Sequence, residues 1–101
     1  VSSKAKQKGT RFEYWLVGFL ARHGIKAHRQ VLSGSHPEYK GDVIIDATSE
    51  RCECKHRQQI SSTLWDWLEG NSYLFLKRDY YKPLVVMTLD EFIQLKKETT
   101  K

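Results

Sequence analysis

The chain has 101 residues, 40% of them hydrophobic and including three Trp, five Tyr and four Phe, which excludes a disordered polypeptide and predicts one packed domain over residues 1 to 101. No apolar run approaches the ~18 residues of a membrane span, and the polar, cationic start Val1-Ser2-Ser3-Lys4-Ala5-Lys6-Gln7-Lys8 lacks the apolar stretch of a secretion signal, so an intracellular, cytoplasmic protein with no membrane partner is expected. The net charge of +5 is unevenly placed: residues 1 to 40 carry eight Lys and Arg against Glu13 and Glu38, whereas nine cations meet ten carboxylates afterwards. That asymmetry suits a polyanionic partner, of which nucleic acid is the usual one.

Residues 1 to 8 read as a flexible basic arm. Phe12, Trp15, Leu16, Phe19 and Leu20 then fall at the i, i+3, i+4, i+7, i+8 spacing of an amphipathic helix. Thr10 and Glu13 match a capping box at its start, and Arg22-His23-Gly24 supplies cations and a glycine stop at its end. Lys26 to Leu32 reads as a first strand. The following loop, Ser33 to Gly41, is dense in turn formers and long enough to suggest a functional role. Asp42 to Ala47 forms a second strand and Glu50 to His56 a third, with Thr48-Ser49 at the centre of the turn between them. Ser61 or Ser62 caps a short helix holding Leu64, Trp65, Trp67 and Leu68, which Gly70-Asn71 ends. Tyr73 to Leu76 and Leu84 to Thr88 are two more strands. A last helix opens on a second capping box, Thr88 and Glu91, and carries Phe92, Ile93 and Leu95. The order is α-β-β-β-α-β-β-α, an α/β fold.

The hairpin carries the chemistry. A turn at Thr48-Ser49 pairs Ala47 with Glu50, Ile44 with Glu53 and Asp42 with Lys55, so Asp42, Glu53 and Lys55 share one face within cross-strand reach. Their hard oxygen ligands suit Mg²⁺, which is held by one or two carboxylates while it keeps waters and substrate phosphate oxygens. Beside a phosphodiester such an ion activates water and offsets charge on the leaving oxygen, and Lys55 orients the nucleophile or offsets developing charge. The same residues also fit an ordinary solvated hairpin face. Cys52, Cys54 and His56 alternate to the opposite face. Their C-x-C-x-H spacing admits a zinc reading, but side chains projecting in parallel from a strand fit reduced, buried thiols better.

Lys8-Gly9-Thr10-Arg11-Phe12-Glu13 at the start of a helix, then Gly41-Asp42, then Glu53-Cys54-Lys55 together resemble the PD-(D/E)xK nuclease superfamily. Within it the chain is most similar to the archaeal-type Holliday junction resolvases and their phage relatives, over residues 8 to about 57. The resemblance implies a restriction-endonuclease-like core, a mixed sheet flanked by helices. It also implies that Asp42, Glu53 and Glu13 hold Mg²⁺ or Mn²⁺, that Lys55 is the catalytic lysine, and that a homodimer cuts four-way DNA junctions in recombination and repair. Such resolvases use a serine in the loop before the aspartate, for which Ser33 and Ser35 are the options. Gly41 stands where the nominal motif has proline, and Tyr14 where many relatives have a basic residue.

Glu13 fits both this outer carboxylate role and the capping box. Lys8, Arg11, Arg29 and Lys40, with Lys4, Lys6, Arg22, Lys26 and His28, are candidate phosphate contacts. Trp65, Trp67, Tyr80 and Tyr81 suit either stacking on unpaired bases or a core and dimer interface. Trp65 and Trp67 diverge by about 200° on a helix, so one of them is exposed unless a partner covers it. Two other functions fit the same residues: a nicking or flap-cutting nuclease of the same superfamily, and a non-catalytic DNA-binding module.

Overall fold

A computed structural model describes residues 4 to 30 and 42 to 99. The chain divides into two compact units, Val1–Gln58 and Gln59–Lys101, where composition predicts one domain. The boundary falls between two glutamines, with no proline or glycine run to mark it.

The first unit contains α1 (Lys4–Arg22), β1 (Ala27–Arg29), β2 (Val43–Ile45) and β3 (Glu50–Cys52). Helix α1 starts at Lys4, so residues 4 to 8 are helical rather than part of a flexible arm. Lys, Ala and Gln are good helix formers and carry the helix back past the apolar stripe that reveals it. Thr10 therefore lies inside the helix, and the Thr10-Glu13 capping box is not formed.

The other end of α1 follows the sequence. Gly24, at φ +80°, donates its N–H to Ala21 O while the Ile25 N–H reaches back to Leu20 O, the paired bonds of a Schellman stop. Added Cβ atoms have open space at Gly24, so Gly24→Ala meets no clash and isolates the cost of the left-handed backbone. A loss of about 1 to 2 kcal/mol in thermal unfolding is expected, with a smaller loss for Gly24→Asn.

β1, β2 and β3 form an antiparallel sheet in that order, with β2 central. Val43 and Ile45 of β2 are buried, and Ile44 between them is half-buried. They join Leu20 and Cys54 as the buried residues of this unit among those described. The β2/β3 register is Ile45↔Glu50, Ile44↔Arg51 and Val43↔Cys52, two residues away from the one predicted. The turn holds four residues, Asp46 to Ser49, closed by a bond from Ser49 N–H to Ile45 O. A two-residue type I′ turn requires positive φ at both central positions. Only Ser49 adopts it, at +60°, and β-branched Thr48 does not. The Thr48 hydroxyl instead bonds to Glu50 Oε1 and accepts the Glu50 N–H. Because side chains alternate with period two, an even shift leaves the paired residues Val43–Ile45 and Glu50–Cys52 on their predicted faces, but β3 stops at Cys52 rather than reaching His56, so Glu53 to His56 lie beyond the ladder.

The second unit contains α2 (Thr63–Leu68), β4 (Leu74–Leu76), β5 (Leu84–Val86) and α3 (Leu89–Thr99). The Ser61 hydroxyl, not that of Ser62, accepts the Thr63 N–H at the start of α2. Gly70 at φ +80° and the Asn71 N–H bonded to Leu68 O end it. At the start of α3 the Thr88 hydroxyl accepts the Glu91 N–H, one of the two bonds of the predicted capping box. Among the described residues Leu68 and Ile93 are the buried ones of this unit, while Trp65 and Trp67 are both exposed; a helix of six residues has only one side to bury.

The predicted element order holds throughout. The chain is a mixture of helices and small sheets, as predicted; among the described residues the strand pairing is antiparallel, in one three-stranded and one two-stranded sheet. Among the same residues no helix is long and apolar enough to cross a membrane.

Candidate functional site

Asp42 is tied into the sheet on both sides. Its carbonyl accepts the Gln30 N–H at 2.8 Å, and its own N–H donates to Cys52 O at 2.8 Å. Its carboxylate Oδ2 accepts the Cys54 N–H at 2.9 Å. The paired ladder ends at Val43↔Cys52, and the bonds from Asp42 to Cys52 and Cys54 bracket Glu53 in the chain just beyond it. Lys55 Nζ lies 3.3 Å from Glu53 Oε2, with both side chains more than half exposed. A pair this solvated contributes less than about 1 kcal/mol to stability, so its partners exchange readily for a phosphate or an ion.

Glu13 projects from α1, and its Oε1 accepts a hydrogen bond from Arg29 Nε on β1 at 3.0 Å. The pair is shielded, with side-chain exposures of 15% for Glu13 and 25% for Arg29. The Arg29 guanidinium also lies 4.4 Å from the centre of the Tyr14 ring. The hydrogen bond to Glu13 is the main cause holding the Arg29 pKa above its ordinary value, against the opposing effect of burial. Arg29, predicted to touch phosphate, is thus engaged inside the protein. Arg29→Ala leaves a shielded carboxylate without its donor and is expected to cost about 1 to 3 kcal/mol by thermal unfolding. Glu13→Gln in the same background should restore part of that loss, giving a non-additive double-mutant cycle.

The Cys54 thiol reports on the surrounding charge. It is buried and its pKa is pushed up to about 11, first by desolvation and then by the negative charges of Asp42 and Glu13, with Cys52 and Glu53 adding less. All three predicted carboxylates therefore act electrostatically on one thiol. They do not close into a finished cage: among the described residues no group of three or more His, Cys, Asp and Glu side chains is arranged to hold a metal. Both cysteines are free thiols. The His56 and Phe12 rings meet edge to face with centroids 5.9 Å apart, and among the described residues C-x-C-x-H is not gathered into a metal-holding group.

Of the predicted phosphate contacts, Lys8 and Arg11 line a groove of about 730 Å³ with Lys4, Gln7, His56, Arg57 and Gln58. Ser33, Ser35, Lys40 and Gly41 lie outside the described residues. Sequence reasoning missed His56 and Arg57, whose only signal is that they follow Lys55 directly. It also missed Trp15: an aromatic on an apolar stripe reads as core, yet this one is 49% exposed. Tyr80 and Tyr81 are both exposed in the β4/β5 turn.

Compared with known proteins, the sequence matches no family model and no curated protein, and its structure matches no solved structure.

Proposed function

We propose that the chain is a metal-dependent DNA endonuclease centred on Asp42, Glu53 and Lys55. The observation that supports this reading is the Asp42 carboxylate bonded to the Cys54 amide, the residue between Glu53 and Lys55, whose side chains meet at 3.3 Å. Hard carboxylate oxygens fit Mg²⁺ or Mn²⁺, and two of them suffice when waters and a phosphate complete the shell. Asp42 and Glu53 would hold the ion, with Glu13 as an outer carboxylate oriented by Arg29. When bound, the ion supplies charge stabilisation and an acidified water.

The chain's own residues have simpler tasks. Asp42 and Glu53 exclude other anions from the site until a cation offsets them. Lys55 balances charge on the scissile phosphate. Lys8 and Arg11 hold neighbouring phosphates. Hydrolysis adds a water oxygen to phosphorus as the bond to one ester oxygen breaks, and the water's proton ends on the departing oxygen.

The similarity to junction resolvases makes a four-way junction the first substrate to try, cut by a homodimer inside the cell on the restriction-endonuclease-like core. A fold does not choose among substrates, so junction, flap, nicked and linear duplexes should be compared in one Mg²⁺ assay. Preferential symmetric cutting of the junction supports this substrate; preference for a flap or nick reassigns it within the same chemistry. The absence of a three-ligand cluster among the described residues favours a second reading, a non-catalytic DNA-binding module. Tight DNA binding without metal-dependent turnover would select that one.

A further inference from the structure

We infer that the groove along α1 binds an unpaired DNA strand, with phosphates on Lys4, Lys8 and Arg11 and a base against the wall made by Phe12 and Trp15. The choice of DNA rests on the endonuclease reading; the groove chemistry does not.

Two concavities meet on this face. The first is the groove lined by Lys4, Lys8, Arg11 and Arg57. The second, of about 440 Å³, is lined by Arg11, Phe12, Trp15, Lys55 and His56. Arg11 and His56 belong to both, so the cationic track runs into the aromatic pocket without a break. No carboxylate lines either one. Among the described residues Lys4, Lys8 and Arg11 have no acidic partner.

Helix geometry spaces the cations. Residues 4, 8 and 11 fall on one side of α1 and span about 10.5 Å along its axis at 1.5 Å per residue. The aromatic wall is equally ordered. The Phe12 and Trp15 rings stack at an interplanar angle of 22°, and Trp15 and Phe19 at 19°. Trp15 nonetheless keeps half its surface in solvent.

A row of cations leading to planar apolar rings matches a polyanion whose repeating unit carries a flat, apolar face. In a duplex each base face is covered by its neighbours, so only an unpaired nucleotide can offer one. The pocket also includes Lys55, which joins the unpaired nucleotide to the proposed site of cutting. The substrate class that follows is DNA with unpaired nucleotides beside the scissile phosphate.

The test uses the full chain carrying Asp42→Asn, in chelator, so that binding is read without metal or cutting. Anisotropy of a labelled oligothymidylate of about twelve nucleotides, within the range of common single-strand site sizes, is compared with that of a duplex of equal length. Trp15→Ala should weaken oligothymidylate binding about tenfold and leave duplex binding unchanged, while Trp15→Phe keeps most of the affinity. Lys8→Gln and Arg11→Gln should each flatten the salt dependence by about 0.7 in log–log slope. If Trp15→Ala fails to fold, Trp15→Leu, which retains apolar bulk but no ring face, carries the same expectation. Wild-type affinity in the folded Trp15 variants, duplex bound as tightly as single strand, or displacement by polyglutamate as effective as by unlabelled oligothymidylate would overturn the inference. A failure to cleave DNA in Mg²⁺ would leave this result standing, just as a failure here would leave the carboxylate site standing.

Discussion

Asp42→Asn and Glu53→Gln should each slow Mg²⁺-dependent cleavage by about 10²- to 10³-fold, the scale of losing one preorganised electrostatic group at a reacting centre. The substitutions differ in their structural risk. Glu53 is exposed and, among the described residues, paired with the equally exposed Lys55, so Glu53→Gln should leave the fold intact. Asp42 also accepts the Cys54 N–H, and an alanine there would orphan that amide at a cost of about 1 to 3 kcal/mol. Asparagine keeps an oxygen that can accept it. Asp42→Asn should therefore melt close to the wild type while losing activity, whereas Asp42→Ala should lose both. Equal activity in Asp42→Asn and wild type would show that the carboxylate serves only the backbone of the hairpin.

Leu20→Ala should lower stability by about 2 to 5 kcal/mol, the range for truncating a buried leucine. Leu20 is 2% exposed and, with Val43, one of the two largest fully buried side chains. It sits one turn before the Schellman stop, where α1 turns back toward the sheet. A chain of about this size has on the order of 5 to 15 kcal/mol in total, and each kcal/mol shifts the melting temperature by about 4 to 8 °C. The variant should thus melt at least 8 °C lower. Leu20→Met conserves volume and should cost less than about 1.5 kcal/mol. A loss below 1 kcal/mol for the alanine variant would mean that α1 does not close the core through this residue.

The parts of the fold legible in the sequence are those set by local physics. The i, i+3, i+4 stripe gave α1, the glycine at residue 24 gave its end, and Thr88 gave the start of α3. Turn length was less accessible, because it depends on whether Thr48 accepts positive φ, and the register moved by two residues as a result. The shift was even, so the paired residues of β2 and β3 keep the faces predicted for them; a shift of one would have exchanged them. The Glu13 to Arg29 pair joins residues 16 apart on a helix and a strand, and no local pattern encodes it. Nor does any local pattern show that Trp15, on the apolar stripe of α1, stacks on Phe12 and Phe19 yet stays half in solvent and lines a groove.

The most direct measurement is single-turnover cleavage of a labelled four-way junction by the full chain as Mg²⁺ is titrated, with Asp42→Asn and Glu53→Gln alongside. The endonuclease reading predicts strand scission that rises with Mg²⁺, vanishes in chelator, and falls at least a hundredfold in both variants. Junction bound but uncut at every Mg²⁺ and Mn²⁺ concentration, or cut equally by all three proteins, would contradict it.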